Sequence, residues 1–308
     1  MLRNDAPFAT HPRASWRSAL QWLAALLLTA LIAVGSAAWW LGGQQFAPNL
    51  HPVGAPPVEL GARAVSFTSL SGRPVSGWLI PGTGAAAVLL LHGSGGDRRS
   101  LMGRARFLHE AGYTVLSIDL QGSGESPGTH ETLGFLESLD AQAAVTYLRT
   151  ALGARRVGLI GFSLGGAAAL LGPQGPVAAD ALVLEAVYPT IEEALANRIR
   201  LRLGPWSGWL YPFFTWQIRP RLGLAPADLR PIERIGAVTV PVFVIGGRAD
   251  RHTTPAETRR LYAAAPEPKR LWLVPGAVHG DLYAAAPLEY QRRVLAFLAA
   301  ALGPRDQQ

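Results

Sequence analysis

The sequence predicts an α/β protein: a mostly parallel, doubly wound sheet that carries a cap insertion and is preceded by one N-terminal transmembrane helix. Three observations predict it. From about residue 61 to 303, apolar runs of strand length alternate with helical patterns. Ala19 to Leu41 holds no charged residue and is long enough to cross a hydrocarbon core as a helix. Between the strand-like run Arg156–Ile160 and the small-residue run Gly166–Leu171 stands Gly161-Phe162-Ser163-Leu164-Gly165, a G-x-S-x-G turn in strand–turn–helix context.

The 308 residues leave room for one α/β domain of about 250 residues with an appendage. Apolar content of 49% against 16% charged residues indicates a compact chain, not a disordered one. The net charge of +7 is almost all arginine, with Lys269 the single lysine. In a chain so rich in Ala, Gly and Pro this reads as a compositional habit. No basic block with interleaved aromatics marks a nucleic-acid surface, and a basic face toward anionic lipid headgroups stays open. The absence of cysteine excludes disulfides and thiolate metal sites.

Residues 1–18 are polar, with Arg3, Arg13 and Arg17 against Asp5, and read as a cytoplasmic arm. Residues 19–41 read as the anchor, with Trp22 at one interface and Trp39-Trp40 at the other. The arginine bias places everything after the anchor in the periplasm or outside the cell. The rival is a cleaved signal peptide, with Leu23–Val34 as its apolar core and Ser36-Ala37-Ala38 as its cleavage site. An anchor is favoured because the apolar run continues through the tryptophans. Residues 42–60 are rich in Gly and Pro and read as a linker.

The domain then opens with a hairpin, Ala64–Phe67 and Val75–Ile80 around Ser71-Gly72. Ala87–Leu91 is apolar throughout, as in a strand buried on both faces. A helix over Arg99–Ala111, a strand over Tyr113–Ile118 and an amphipathic helix over Leu136–Leu152 lead to the serine turn. Strands follow at Ala181–Glu185, Val240–Ile245 and Arg270–Val274, with helices near Glu257–Ala265 and over Leu288–Leu302. Residues 188–234 interrupt this alternation and must leave the sheet plane and return, so they read as a cap. Their aromatics (Trp206, Trp209, Tyr211, Phe213, Phe214, Trp216) sit among Arg198, Arg200, Arg202, Arg219 and Arg221. Three roles suit them: packing the cap onto the domain, walling an acyl or aromatic subsite, or meeting a membrane interface.

A serine hydroxyl becomes a nucleophile only when a base takes its proton, and an acid must hold that base in one tautomer. After a serine on such a turn, chain order is acid and then histidine. His279 lies in the loop after the last strand, at the carboxyl edge where ligands bind in such sheets. Asp250 ends Gly246-Gly247-Arg248-Ala249-Asp250 on the same edge, between serine and histidine, and Glu185 at the end of the preceding strand competes with it. The backbone N–H of Leu164 and of Ser94, in His92-Gly93-Ser94-Gly95-Gly96, are the candidate oxyanion donors. His92 reads as a brace for that loop, His130 and His252 as solvated, His109 as structural, and His11 and His51 as lying outside the domain. No lysine follows the Gly-rich loop as a phosphate loop would require, and no metal motif is present.

From about residue 60 to 302 the chain resembles the α/β-hydrolase superfamily, and within it the small, often membrane-anchored serine hydrolases labelled acylaminoacyl-peptidase-like or lysophospholipase-like. The resemblance rests on His92–Gly96, Asp119-Leu120-Gln121-Gly122-Ser123-Gly124-Glu125-Ser126, the serine turn, Gly247–Asp250 and Gly276–His279, with Gln121 where the family often has arginine. It implies an α/β-hydrolase fold and an acyl-enzyme mechanism with Ser163, His279 and Asp250, and needs no cofactor. A small or lipid-like ester is the expected substrate. A peptidase and a non-catalytic tethered binding protein are the alternatives.

Overall fold

The structure is a computed structural model that describes residues 16–303. The arm at residues 1–18 falls almost wholly outside the described residues, as does His11. The chain divides into two compact units, Met1–Gly43 and Gln44–Gln308. The described part of the first lies in one helix, α1 (Trp16–Gln45), long and apolar enough to cross a membrane, with a mean hydropathy of 1.9. Leu23, Leu27, Leu31 and Val34 along it are exposed.

The second unit is built on eight strands. They are β1 (Arg63–Thr68), β2 (Pro74–Ile80), β3 (Ala86–Leu91), β4 (Thr114–Ile118), β5 (Arg156–Phe162), β6 (Ala181–Glu185), β7 (Val242–Gly247) and β8 (Lys269–Val274). Their order across the sheet is β8-β7-β6-β5-β3-β4-β2-β1. The hairpin β1–β2 is antiparallel and β2 runs antiparallel to β4, while every other pairing is parallel. Strand alternation sends Ala87, Leu89 and Leu91 of β3 to one core and Val88 and Leu90 to the other. Helix α3 (Glu137–Thr150) covers the first face through Val145 and Leu148. Helices α2 (Met102–Glu110) and α7 (Pro287–Leu302) cover the second through Leu108, Val294 and Leu298. Because both faces are covered, the central strands are apolar without alternation in sequence.

The elements agree with expectation to within a few residues at their ends. Two further helices complete the frame: α4 (Leu164–Ala168), only five residues long, and α6 (Pro255–Ala264), capped by Thr254 and Glu257 in a capping box. The insertion after β6 begins with α5 (Ile191–Leu203), capped by Thr190, and continues as short helical turns to Arg234.

One expectation fails. Residues 46–60 are not a free linker. Phe46, Val53 and Leu60 are buried, and Asn49 and His51 donate their N–H groups to Gly122 and Gly124 carbonyls at 2.7 and 2.9 Å, as a short parallel pair. His51 Nε2 meets Asp97 at 2.9 Å, so this histidine belongs to the domain. Gly and Pro gave the stretch its linker-like composition, but three spaced apolar anchors are enough to strap an extended segment down.

Candidate active site

Ser163 sits between the end of β5 and the start of α4 with φ 49° and ψ −109°. That conformation is costly for a residue with a Cβ and persists only where its surroundings impose it. Here the Ser163 N–H is tied to the Glu185 carbonyl at 2.7 Å, and its own carbonyl accepts from Ala167 N–H at 3.0 Å. The turn is so tight that a Cβ on Gly165 would stand 2.3 Å from the Leu91 carbonyl oxygen. A Cβ on Gly161 would stand 2.6 Å from the Gly165 oxygen. Glycine at these positions is therefore a packing requirement of the elbow.

Asp250 and His279 come together through the loops after β7 and β8. Ala249 N–H bonds the Ala277 carbonyl at 2.9 Å and Arg248 N–H the Val274 carbonyl at 2.9 Å, which zips the two loops side by side. His279 Nδ1 then lies 2.9 Å from Asp250 Oδ2. The other Asp250 oxygen accepts the N–H groups of His252 and Thr253 at 2.7 and 2.9 Å, so the carboxylate is fixed by three donors. With Asp250 accepting, Nδ1 carries the proton and Nε2 is free to act as a base. His279 packs against Phe162, the residue before the serine, at 5.4 Å between ring centres.

Glu185, the competing acid, is engaged elsewhere. It shares strand parity with Ala181 and Val183 and so enters the core beneath α2 and α7. There it pairs with Arg104 at 2.5 and 3.0 Å and accepts the hydroxyl of Tyr290. Arg104 also reaches Asp281 at 2.7 Å, two residues after His279, so this buried cluster fastens the base of the histidine loop.

The N–H groups of Ser94 and Leu164 make no hydrogen bond among the described residues and are free to serve an oxyanion. His92 holds the Ser94 loop from below. Its Nε2 accepts the Leu120 N–H at 3.1 Å, so its Nδ1 carries the proton and donates to the Gly93 carbonyl at 2.8 Å. Glu131, which sequence reasoning passed over, holds the loop from the other side: it accepts the Ser94 hydroxyl at 2.6 Å and the Gly95 N–H at 3.3 Å. Burial raises the Glu131 carboxyl above its ordinary value, against the opposing pull of those two donors and of the Arg198 charge.

Ser163 and His279 line one cavity of about 580 Å³, together with Ser94, Gly95, Glu131 and Phe162 from the sheet edge. Asn49 and its neighbours from the strapped segment complete its rim, and α5 supplies Arg198, Leu201 and Arg202. His252 lies in this cavity too, with its ring 4.9 Å from that of His279, so it is not the solvated bystander expected. Burial, reinforced by the charges of His279 and Arg198, lowers its pKa. Of the three roles open to the cap aromatics, that of an acyl wall is not met: none of them lines this cavity. Trp206, Trp209, Phe213 and Trp216 are exposed, Trp206 to 89%, while Tyr211 and Phe214 pack on the core. A second cavity of about 660 Å³ lies at the amino ends of β3 and β5 and holds none of these groups.

A family model described as the alpha/beta hydrolase family matches residues 88–297. The uncharacterized protein MT2364 of Mycobacterium tuberculosis is 34% identical over 270 residues, covering 84% of this chain and 88% of that protein. The uncharacterized protein YfhR of Escherichia coli K12 is 26% identical over 254 residues, covering 80% of this chain and 83% of that protein. The fold is similar to that of the solved Pyrococcus furiosus esterase Pf2001, with a TM-score of 0.69 at 24% identity over 83% of this chain and 99% of that one. The chain belongs to the α/β-hydrolase family.

Proposed function

We propose that the protein is a serine hydrolase that cleaves esters through an acyl-enzyme. The observation that carries this reading is the 2.9 Å contact between His279 Nδ1 and Asp250, in the cavity that also exposes a serine held on a strained elbow. Ser163 Oγ attacks the carbonyl carbon and its proton passes to His279 Nε2. Asp250 keeps the ring in the required tautomer and stabilises the imidazolium. The N–H groups of Leu164 and Ser94 hold the oxyanion, with the amino end of α4 behind the first. Collapse expels the alcohol, which takes the proton from Nε2. Water then attacks the acyl carbon by the same route in reverse roles. The Ser163 hydroxyl makes no hydrogen bond to His279 among the described residues; in the proposed reaction that contact forms as substrate binds, since catalytic hydrogen bonds are often long before binding and tighten in the complex. An ester is favoured over a peptide because solved structures that share this fold include the Pyrococcus furiosus esterase Pf2001.

The test is labelling by a fluorophosphonate probe, wild type beside Ser163→Ala, followed by turnover of matched ester and amide substrates. Labelling of the wild type alone, with faster ester turnover, is the expected result. A folded wild type that neither labels nor turns over either substrate overturns the catalytic reading, and faster amide turnover makes it a peptidase.

We also propose that residues 19–41 anchor the protein as a single span, with the arm at 1–18 cytoplasmic and the domain outside. The support is the apolar exposed helix α1 and the arginines that precede it. The exposed Trp206, Trp209 and Trp216 of the cap suit a membrane interface. Amino-terminal sequencing of the mature protein tests the anchor: a new terminus near Ala37 would identify a cleaved signal peptide instead.

A further inference from the structure

Helix α5 carries Arg198, Arg200 and Arg202, and the structure treats them differently. Arg200 donates to Asn197 Oδ1 at 3.0 Å and packs against Gly208. Arg198 and Arg202, four residues apart and so on one face of the helix, both line the cavity that holds Ser163 and His279. Neither makes a hydrogen bond or ion pair among the described residues.

Their helix is not loosely placed. Asn197 donates to the His252 carbonyl at 3.0 Å and to Glu257 at 2.8 Å, and Glu193 pairs with Arg260 at 2.7 and 2.8 Å. These bonds register α5 against the loop that carries Asp250. These bonds fix the helix that brings two guanidinium groups to the catalytic cavity, where neither is paired in contact with a carboxylate, although the Arg198 charge acts on Glu131. Glu131 is the one carboxylate among the described lining residues. Each of its oxygens already accepts a donor, the Ser94 hydroxyl and the Gly95 N–H, and burial raises its carboxyl above the ordinary value against the pull of those donors. His252 adds a further donor beside them. A cavity with this balance is ill suited to a purely aliphatic acyl chain, because filling it would strip water from both cations without replacing it. It suits a carboxylate or phosphate, whose oxygens match the planar donor fork of arginine.

We infer that the substrate carries an anionic group, a carboxylate or phosphate, near the scissile bond, and that Arg198 and Arg202 bind it. This rests on the serine-hydrolase reading and names the substrate class for the same site. The anion can belong to the acyl group or to the leaving group.

The experiment uses the full chain in detergent and two matched pairs. On the acyl side, p-nitrophenyl hemiglutarate is compared with its methyl ester. On the leaving-group side, butyrylglycerol phosphate is compared with monobutyrin. In at least one pair the wild type should prefer the anion in kcat/KM by about tenfold or more, chiefly through KM, as a charge-assisted contact supplies. The pair that shows the preference identifies the side that carries the charge. Arg198→Gln with Arg202→Gln should abolish it, and Arg200→Ala should retain it. A ratio near one in both pairs for wild type, or a preference that survives in the double variant, overturns the inference. Loss of all turnover and of probe labelling in a folded wild type strikes the catalytic reading instead. Binding still tests the anion site in that case. Thermal stabilisation of Ser163→Ala by the anionic member of at least one pair but not by its neutral mate, lost with both arginines, supports it. Equal stabilisation within both pairs, or none by any of the four compounds, overturns it.

Discussion

At the sheet edge, the turn of Ser163 and the loops that carry Asp250 and His279 are set largely by backbone: the Glu185 carbonyl on the serine N–H, the zipped loops after β7 and β8, and Gly165 pressed against Leu91, with the Ser94 loop braced by His92 and Glu131. Across the same cavity, Arg198 and Arg202 project from a helix whose position depends on side-chain bonds, Asn197 to Glu257 and Glu193 to Arg260. The first wall needs particular residues at particular spacings because a strained turn tolerates nothing else. The second needs only a helix of suitable length with its charges on the inward face. In the proposed reading, the reaction class belongs to the first wall and the choice of substrate to the second.

The sharpest way to break that division is at two buried acids beyond or at the carboxyl ends of adjacent strands, Asp250 after β7 and Glu185 at the end of β6. Asp250→Asn should lower kcat about 10⁴-fold, since the amide selects the wrong tautomer of His279, with little loss of stability. Glu185→Gln should do the reverse. Leaving Arg104 without its buried partner should cost about 3–5 kcal/mol in urea melts, while kcat per probe-labelled site changes by less than about tenfold. If both variants lost only activity, the division between orienting and structural acid would fall.

Gly165→Ala tests whether backbone packing alone sustains the elbow. With its Cβ 2.3 Å from the Leu91 oxygen, the substitution should destabilise by more than about 2 kcal/mol and abolish probe labelling. Changes on the outer side of the cap should be silent in chemistry. Trp206→Ser with Trp209→Ser should leave kcat/KM on a soluble ester within about twofold, while partition of the domain to anionic vesicles falls about tenfold. The smallest effect concerns the strap at residues 46–60. Hydrogen bonding to Asp97 raises His51 above its ordinary value of 6.5, so the charged contact is complete below that value and is lost as pH rises through the raised one. Hydrogen exchange at Asn49 and His51 should accelerate above neutral pH more in wild type than in His51→Gln, which has no charge to lose.

The distinction between the two acids shows how far the sequence reaches. Glu185 is the last residue of β6 and Asp250 lies three residues past the end of β7, so both stand at the catalytic edge, and both fall after the serine. The central strands are buried on both faces, so no polar–apolar alternation reveals which way the last side chain turns. Glu131 and the inward arginines were illegible for a related reason: their roles arise from contacts with Ser94 and with the cavity, which lie far away in the chain. His252 was misread because a loop position says nothing of which second loop lies beside it.

The sequence by itself determined the doubly wound sheet, the elbow at Ser163, the helix long enough to span a membrane and the loops in which His279 and Ser94 lie. Each of these depends on local rules: strand-length apolar runs, glycine where no Cβ fits, and an uninterrupted charge-free stretch. Tertiary structure alone decided that Glu185 belongs to Arg104 and Tyr290, that the segment after α1 is strapped down and that the cap brings Arg198 and Arg202 to the cavity while its tryptophans stay exposed. These outcomes depend on strand parity and on which distant surfaces meet. Burial energy depends on the area covered and not on the order of the chain, so many local patterns are compatible with each such meeting.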